Sequence, residues 1–446
     1  MGILERIKEG FVIFDGGMGT MIQPHMKLGE LPELLNITMP EVITGVHKAY
    51  LDAGSDVVET NTLNANGPKL KRIGKTVDEV ISAAVKNARN AIEQAGHGYA
   101  ALSMGPTGIM LEPLGDLTFD EAVAIYAEMA AAGEKAGADL ILIETVSDLH
   151  EIKAAIYGAK QATKLPVAVT MTFEASGRTL TGADILTSVA TLEALGADII
   201  GMNCGLGPDQ MCELVPKLTK AATVPVLINP NAGLPKRVDG QNVYTVGPEE
   251  FSKDAVKLAQ AGARLLGGCC GTTPAHIAAL KALLDGMEPV NACEGALCAI
   301  TSGSKFLMLD GNAEIARLTD DDVDDLADSA MDSEADAVMI SYSPLDEAVQ
   351  TLQEMYLKPM YLVSDDAEEL EKALRYYNGK PVIGIADADN IDEFFAIARK
   401  GAALAVKDAS LAEKAAAVLG AHNVFIDDGE SLQLANGDTA AAIVEE

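Results

Sequence analysis

TFDEAVAIYAEMAAAGEKAGADLILIET, residues 118–145, holds one complete unit of the fold. Thr118 is a helix-capping residue type, and the amphipathic stretch 119–138 that follows it runs through glycine-punctuated sequence at its end. The chain then enters DLILIET (139–145), a near-continuous apolar run of the kind parallel strands need when both faces are covered. The same alternation recurs on either side. Candidate strands upstream are VIFDG (12–16), DVVETNT (56–62) and AALSMG (100–105). Downstream come VAVTMTF (167–173), DIIGMNC (198–204), VLINPN (226–231) and RLLGGCC (264–270). Eight strand–helix units within the first 285 residues fit an α/β fold of the (β/α)8 or TIM-barrel type better than any open sheet.

Such barrels carry their chemistry at the C-terminal ends of the strands. The polar and reactive residues of this chain gather there: Asp15, Glu59, Asn61, Glu144, Asn203, Cys204, Asn229, Asn231, Cys269 and Cys270. Asp15 stands in DGGMGT (15–20), where Gly16 and Gly17 let a ligand approach the backbone. Glu144 is buried by its sequence context, so an ionised carboxylate there needs a partner; an amino group on a substrate would supply one. For Glu59 and Asn61 a plain role as helix cap or loop acceptor stands beside the functional one.

Cys204 lies in MNCGLGPDQM (202–211), and the pair Cys269–Cys270 in GGCCGTTPAHI (267–277). Neighbouring residues of a regular strand point to opposite faces, so both cysteines reach one ion only where the backbone turns irregular. Gly267, Gly268 and Gly271 supply that freedom. Three thiolates hold a zinc ion and leave its fourth tetrahedral position open, which separates a catalytic zinc from a structural one. The alternative is a set of buried free thiols. Cys212, Cys293 and Cys298 are not assigned to the metal.

At 446 residues the chain has room for two or three domains. Six cysteines in that length do not make a disulfide framework, and a reducing compartment suits thiolate ligands. A formal charge of −33 argues against binding nucleic acid or an anionic membrane. After residue 300 there are 31 Asp and Glu against 10 Lys and Arg, which reads as a solvated surface or as a docking face for a more basic protein. No apolar run approaches the ~18–20 residues that cross a bilayer. MGILERIKEG lacks the apolar core of a secretory signal, and Arg6 stands where a myristoylation signal has Ser or Thr. The expectation is a soluble cytoplasmic protein. Its domains are read as a barrel over 1–288, a linker over 289–303, and an acidic domain over 304–446. That last region carries FLMLDG (306–311), DAVMISY (336–342), MYLVSD (360–365), PVIGIAD (381–387), ALAVKD (403–408) and NVFIDD (423–428). Five or six such units predict a smaller parallel α/β domain, barrel-like but incomplete.

FDGGMGTMIQ (14–23), ETNT (59–62), LIETVSDL (142–149), MNCGLGPDQM, INPNAGLP (228–235) and GGCCGTTPAHI occur in the same order in a known family. The chain resembles the homocysteine-binding domain of cobalamin-dependent methionine synthase and related homocysteine methyltransferases. The resemblance implies that Cys204, Cys269 and Cys270 bind zinc, which activates the homocysteine thiol for methylation to methionine. It implies that Asp15 and Glu144 hold the homocysteine amino group, with Gly16, Gly17 and Asn203 beside them. It also implies that Asn231 approaches the metal when substrate is absent. The region 304–446 is similar to a shortened pterin-binding barrel but lacks that family's asparagines at its strand ends, so a structural or docking role is expected rather than folate binding. The cobalamin signature Asp-x-His-x-x-Gly has its nearest match in Asp148-Leu149-His150-Glu151-Ile152-Lys153, where Lys153 replaces glycine. His150 therefore reads as an ordinary helix residue. Cobalamin is expected only on a separate corrinoid-carrying partner. The alternatives are a small donor, S-methylmethionine or betaine, and a zinc-binding scaffold without catalysis.

Overall fold

The computed structural model describes residues 1–26, 29–238 and 241–445. They form two compact units, one of Met1–Leu180 with Ala197–Glu294, the other of Thr181–Gly196 with Gly295–Glu446.

The first unit is built on eight parallel strands. These are β1 (Val12–Ile13), β2 (Val57–Glu59), β3 (Tyr99–Met104), β4 (Leu140–Val146), β5 (Val167–Met171), β6 (Ile199–Asn203), β7 (Val226–Asn229) and β8 (Leu265–Leu266). From β2 onward each pairs with the next, β8 pairs with β1, and an isolated bridge from Phe14 to Val57 links the end of β1 to β2. All eight predicted runs become strands, in the predicted order. The helix ahead of β4 spans Phe119–Ala136; Thr118 and Glu121 form a reciprocal capping box at its start. Gly137, at φ 96°, ends it in the left-handed conformation that glycine tolerates best.

The barrel interior explains which end is reactive. A short helix, Ile3–Glu9, brings Ile3 and Ile7 into one buried cluster with Val12, Phe14, Val57, Ala101, Leu140, Leu142, Ala168, Ile199, Leu227 and Leu265. Side chains alternate along a strand, so the next inward position on each is fixed by the apolar one before it. Two residues beyond Val57, Ala101, Leu142 and Leu227 stand Glu59, Ser103, Glu144 and Asn229, and four beyond Ile199 stands Asn203. The period that packs the core also delivers a polar layer to the carboxy end.

The second unit holds a closed barrel. Its strands are β9 (Ala313–Leu318), β10 (Ala337–Ile340), β11 (Met360–Val363), β12 (Val382–Ala386), β13 (Ala403–Val406), β14 (Val424–Asp427), β15 (Ser431–Leu434) and β16 (Thr439–Glu445). The first six run parallel; β15 is antiparallel to both neighbours, and β16 closes on β9 in parallel. The expected parallel α/β domain is present, and this final hairpin completes its sheet. FLMLDG, predicted as the first of the series, instead pairs antiparallel with Ala299–Thr301, and AEIARL at 313–318 takes its place. Small side chains let the ring close: Ala313, Ala337, Ala403, Ala405 and Ala441 line an interior filled by Ile315, Met339, Tyr361 and Phe425. Among the described residues no helix is long and apolar enough to cross a membrane.

Candidate metal centre

Loops after β6 and β8 bring the three predicted cysteines together. Cys204 has φ 59°, a left-handed conformation that costs a residue with a Cβ about 1–3 kcal/mol. Its N–H stays tied to the Asn229 carbonyl at 3.1 Å. After β8 the passage is crowded: a Cβ on Gly267 would lie 2.7 Å from Asn229 Oδ1, and one on Gly268 2.6 Å from Thr272 Oγ1. Cys269 N–H donates to the Pro230 carbonyl at 2.8 Å, and Cys270 N–H to Asn231 Oδ1 at 3.0 Å. The strand ladder has ended, so both side chains of the pair can face one point. The sulfurs of Cys204, Cys269 and Cys270 all lie within 4.8 Å of one another. Zinc–sulfur bonds of ~2.3 Å in a tetrahedron set sulfurs ~3.8 Å apart, so the trio fits the ion with a small closure.

The trio shares its charge unevenly. Hydrogen bonds from the Cys269 and Cys270 thiols, helped by the Asn231 side chain, pull the Cys204 thiol down to about 3. Acting as donors drives Cys270 up to about 11 and Cys269 well above the usual thiol range. A metal ion takes the place of those shared protons when it binds thiolates.

Carboxylates flank the sulfurs. Glu144 Oε1 accepts the Ser103 hydroxyl at 2.5 Å, and its Oε2 accepts Asn203 Nδ2 at 3.0 Å. Thr145, next to it, also has a positive φ, 61°; its N–H donates to Asn203 Oδ1 at 3.0 Å. Glu59 Oε1 accepts Asn229 Nδ2 at 2.9 Å. Asp15 Oδ2 accepts the Glu59 N–H at 3.0 Å, while its buried Oδ1 finds no donor among the described residues. Asn229 Oδ1 is likewise unmatched. Burial pushes Asp15, Glu59 and Glu144 upward, and mutual repulsion adds to it: Glu144 acts on both others, and Cys204 on Glu144. Crowded acids with unfilled acceptors suit a cationic N–H donor, such as the ammonium of an amino acid.

Other residues singled out in the sequence serve the protein's own packing and loops. Gly16 and Gly17 make room for the protein itself, since their Cβ atoms would lie 2.5 Å from Thr272 Oγ1 and 2.8 Å from the Cys269 carbonyl. Asn61 Nδ2 donates to the Pro32 carbonyl at 2.8 Å and serves the loop. His150 sits in the first turn of the helix Leu149–Ala162, where Asp148 caps its N–H at 2.9 Å, and stacks on Phe119. Sequence reading missed Ser103 and Thr145, and also Thr272, whose hydroxyl accepts Gly17 N–H at 3.0 Å and donates to the Cys269 carbonyl at 2.6 Å. Thr272 had a signal: it directly follows the cysteine pair and its glycine.

A family model, Homocysteine S-methyltransferase, matches residues 12–284. The chain is 36% identical over 310 residues to the methionine synthase of Mycobacterium leprae, covering 64% of this chain and 26% of that protein. It is 35% identical over 294 residues to the methionine synthase of Mycobacterium tuberculosis, covering 62% and 25%. It thus spans about a quarter of the length of these curated relatives. Among solved structures it is similar to the homocysteine methyltransferase MmuM from Escherichia coli. The apo form is 27% identical with a TM-score of 0.51, over 63% of this chain and 98% of that one. The oxidised form is 25% identical with a TM-score of 0.53, over 61% and 96%. The metallated form, 24% identical with a TM-score of 0.54 over 63% and 99%, shares the fold.

Proposed function

The chain belongs to the homocysteine S-methyltransferase family, and we propose that it methylates homocysteine on sulfur, giving methionine, at a zinc held by Cys204, Cys269 and Cys270. One observation carries this reading: three sulfurs converge within 4.8 Å beside Asp15, whose buried Oδ1 finds no donor among the described residues. A ligand bearing both a thiol and an ammonium answers both features. When bound, zinc is a Lewis acid that keeps the entering thiol as a thiolate at neutral pH.

The protein's own residues do the positioning. Asp15 and Glu144 accept the ammonium N–H groups, and Asn203 keeps Glu144 aimed. The incoming cation favours the ionised acids, so substrate binding and proton release are linked. Asn231, whose Oδ1 accepts the Cys270 N–H at 3.0 Å, would be the residue that approaches the metal while substrate is absent. The sulfur–carbon bond forms as the methyl group leaves its donor, which keeps the electron pair.

The donor in this reading is a methylated corrinoid carried by a partner protein; Asp148–Lys153 is not its binding site, because His150 lies in the first turn of a helix and stacks on Phe119. We read residues 304–446 as a structural or docking domain, and the reducing cytoplasm as the compartment that three free thiols require. X-ray absorption on the zinc-loaded full chain, with and without homocysteine, tests the reading. Gain of a fourth sulfur ligand is the expected result, and an unchanged shell would sink it. Turnover with S-methylmethionine alone would move the donor assignment to a small sulfonium.

A further inference from the structure

Two loops at the rim of the first barrel are laced to each other. One leaves β1 and carries Asp15; the other leaves β8 and carries Cys269 and Cys270. Gly268 N–H donates to the Asp15 carbonyl at 2.9 Å, Gly271 N–H to Thr20 Oγ1 at 2.9 Å, and Gly17 N–H to Thr272 Oγ1 at 3.0 Å.

Thr272 is the crosspiece of this seam. A hydroxyl has one proton and two lone pairs. The proton goes to the Cys269 carbonyl at 2.6 Å, which leaves the lone pairs to accept the Gly17 N–H. Thr272 N–H reaches the same carbonyl at 3.2 Å. From behind, the buried Tyr50 of helix Pro40–Asp52 donates its O–H to the Thr272 carbonyl at 3.1 Å. The fit leaves no slack. A Cβ on Gly16 would come 3.0 Å from the Tyr50 ring as well as 2.5 Å from Thr272 Oγ1.

We propose that Thr272 is a positioning residue that couples the two halves of the site, so that a metal at the cysteines and an amino group at Asp15 favour each other's binding. The inference rests on the reading of the cysteines as metal ligands and of Asp15 as an ammonium acceptor. An ion that fixes the Cys269 turn also fixes Thr272 and, through Gly17, the backbone that carries Asp15. Coupling of this kind is reciprocal and typically amounts to about 5- to 150-fold in affinity. Valine has the shape of threonine but can hold neither the Cys269 carbonyl nor the Gly17 N–H.

The test measures zinc affinity of the full chain by chelator competition, with and without saturating L-norleucine, which carries the ammonium but no thiol. In the unsubstituted protein norleucine should tighten zinc binding by about 10-fold. Thr272→Val should still bind zinc, with the effect of norleucine cut to about 2-fold, the part due to direct attraction between the ammonium and the thiolates. Thr272→Ser should restore it. An undiminished effect in Thr272→Val would overturn the coupling. Where the valine variant does not fold, Tyr50→Phe takes its place, and an undiminished effect there would overturn the coupling in the same way. Zinc that binds the unsubstituted protein without any response to bound norleucine would overturn the coupling and leave the metal ligands standing. Failure of norleucine to bind would remove the ammonium reading of Asp15 with it, and failure of zinc to bind would remove the cysteine assignment.

Discussion

Asn203 and Glu144 are locked together across the barrel rim: Asn203 Nδ2 donates to Glu144 Oε2 at 3.0 Å, and Asn203 Oδ1 holds the adjoining Thr145 N–H at 3.0 Å. Cys204 is the next residue along. One turn of backbone therefore sets both a proposed metal ligand and the aim of the carboxylate proposed to meet the substrate. Asn203→Leu leaves Glu144 Oε2 with only the long hydrogen bond from the Thr145 hydroxyl, at 3.4 Å. Homocysteine binding should weaken by about 10-fold, the usual effect of losing one hydrogen bond to a charged group. Zinc stoichiometry should stay at that of the unsubstituted protein. Calorimetric titration of the zinc-loaded protein measures the first, and metal analysis the second.

Glu144→Gln preserves size and removes charge. If the carboxylate meets an ammonium, homocysteine should bind about 10- to 100-fold more weakly, equivalent to ~1.5–3 kcal/mol. A thiol without an amino group, 3-mercaptopropionate, should bind both proteins alike. Competition between the two thiols at the metal decides it, and an equal loss for both would remove the ammonium from the argument.

Much of this site could be read from residue order because a parallel barrel turns sequence position into height. DLILIET and DIIGMNC are strands by apolarity, so their terminal Glu144, Asn203 and Cys204 had to meet on one rim. What stayed hidden depends on contacts between distant segments. Thr272 joins Gly17 across 255 residues of chain, and a threonine in a loop looks the same with or without such a partner. In the second barrel, AEIARL and TAAAIVE are rich in alanine, a poor strand former, so β9 and β16 did not stand out although they close the ring. Alanine is there because a tight barrel needs small inward side chains, a requirement of closure rather than of local propensity.

Crowding of acids costs the substrate-free protein stability, and the sign can be checked. Burial, then Glu144 and Asp15, raise Glu59 above its ordinary 4.5. A raised carboxyl favours folding below its ordinary value and loses that contribution as pH rises through the folded-state value. Glu59→Gln removes this loss while its carbonyl still accepts from Asn229. The variant should be more stable by about 0.5–2 kcal/mol at about pH 8 and nearly unchanged at about pH 5. Thermal unfolding at both values measures it. The same gain at both would mean that the carboxylate's charge is not the cause.

In the second barrel the tyrosine at the centre can be tested without any ligand. Tyr361 O–H donates to Asp427 Oδ2 at 2.7 Å inside the alanine-lined interior, and Asp427 is 7% exposed. Asp427 Oδ1 is held separately by Gly429 N–H at 2.8 Å. Tyr361→Phe keeps the ring and strands one carboxylate oxygen without its donor. Leaving a buried acceptor unmatched costs about 1–3 kcal/mol, more than the bond itself contributes in net terms. Replacing Asp427 by Asn as well lifts the penalty of a charged acceptor, so the double variant should recover part of the loss. The chain contains no tryptophan, so urea unfolding is best followed by far-ultraviolet circular dichroism. A loss under about 0.5 kcal/mol for Tyr361→Phe would mean that water reaches Asp427 and replaces the hydroxyl, and that the interior is less tightly filled than its side chains indicate.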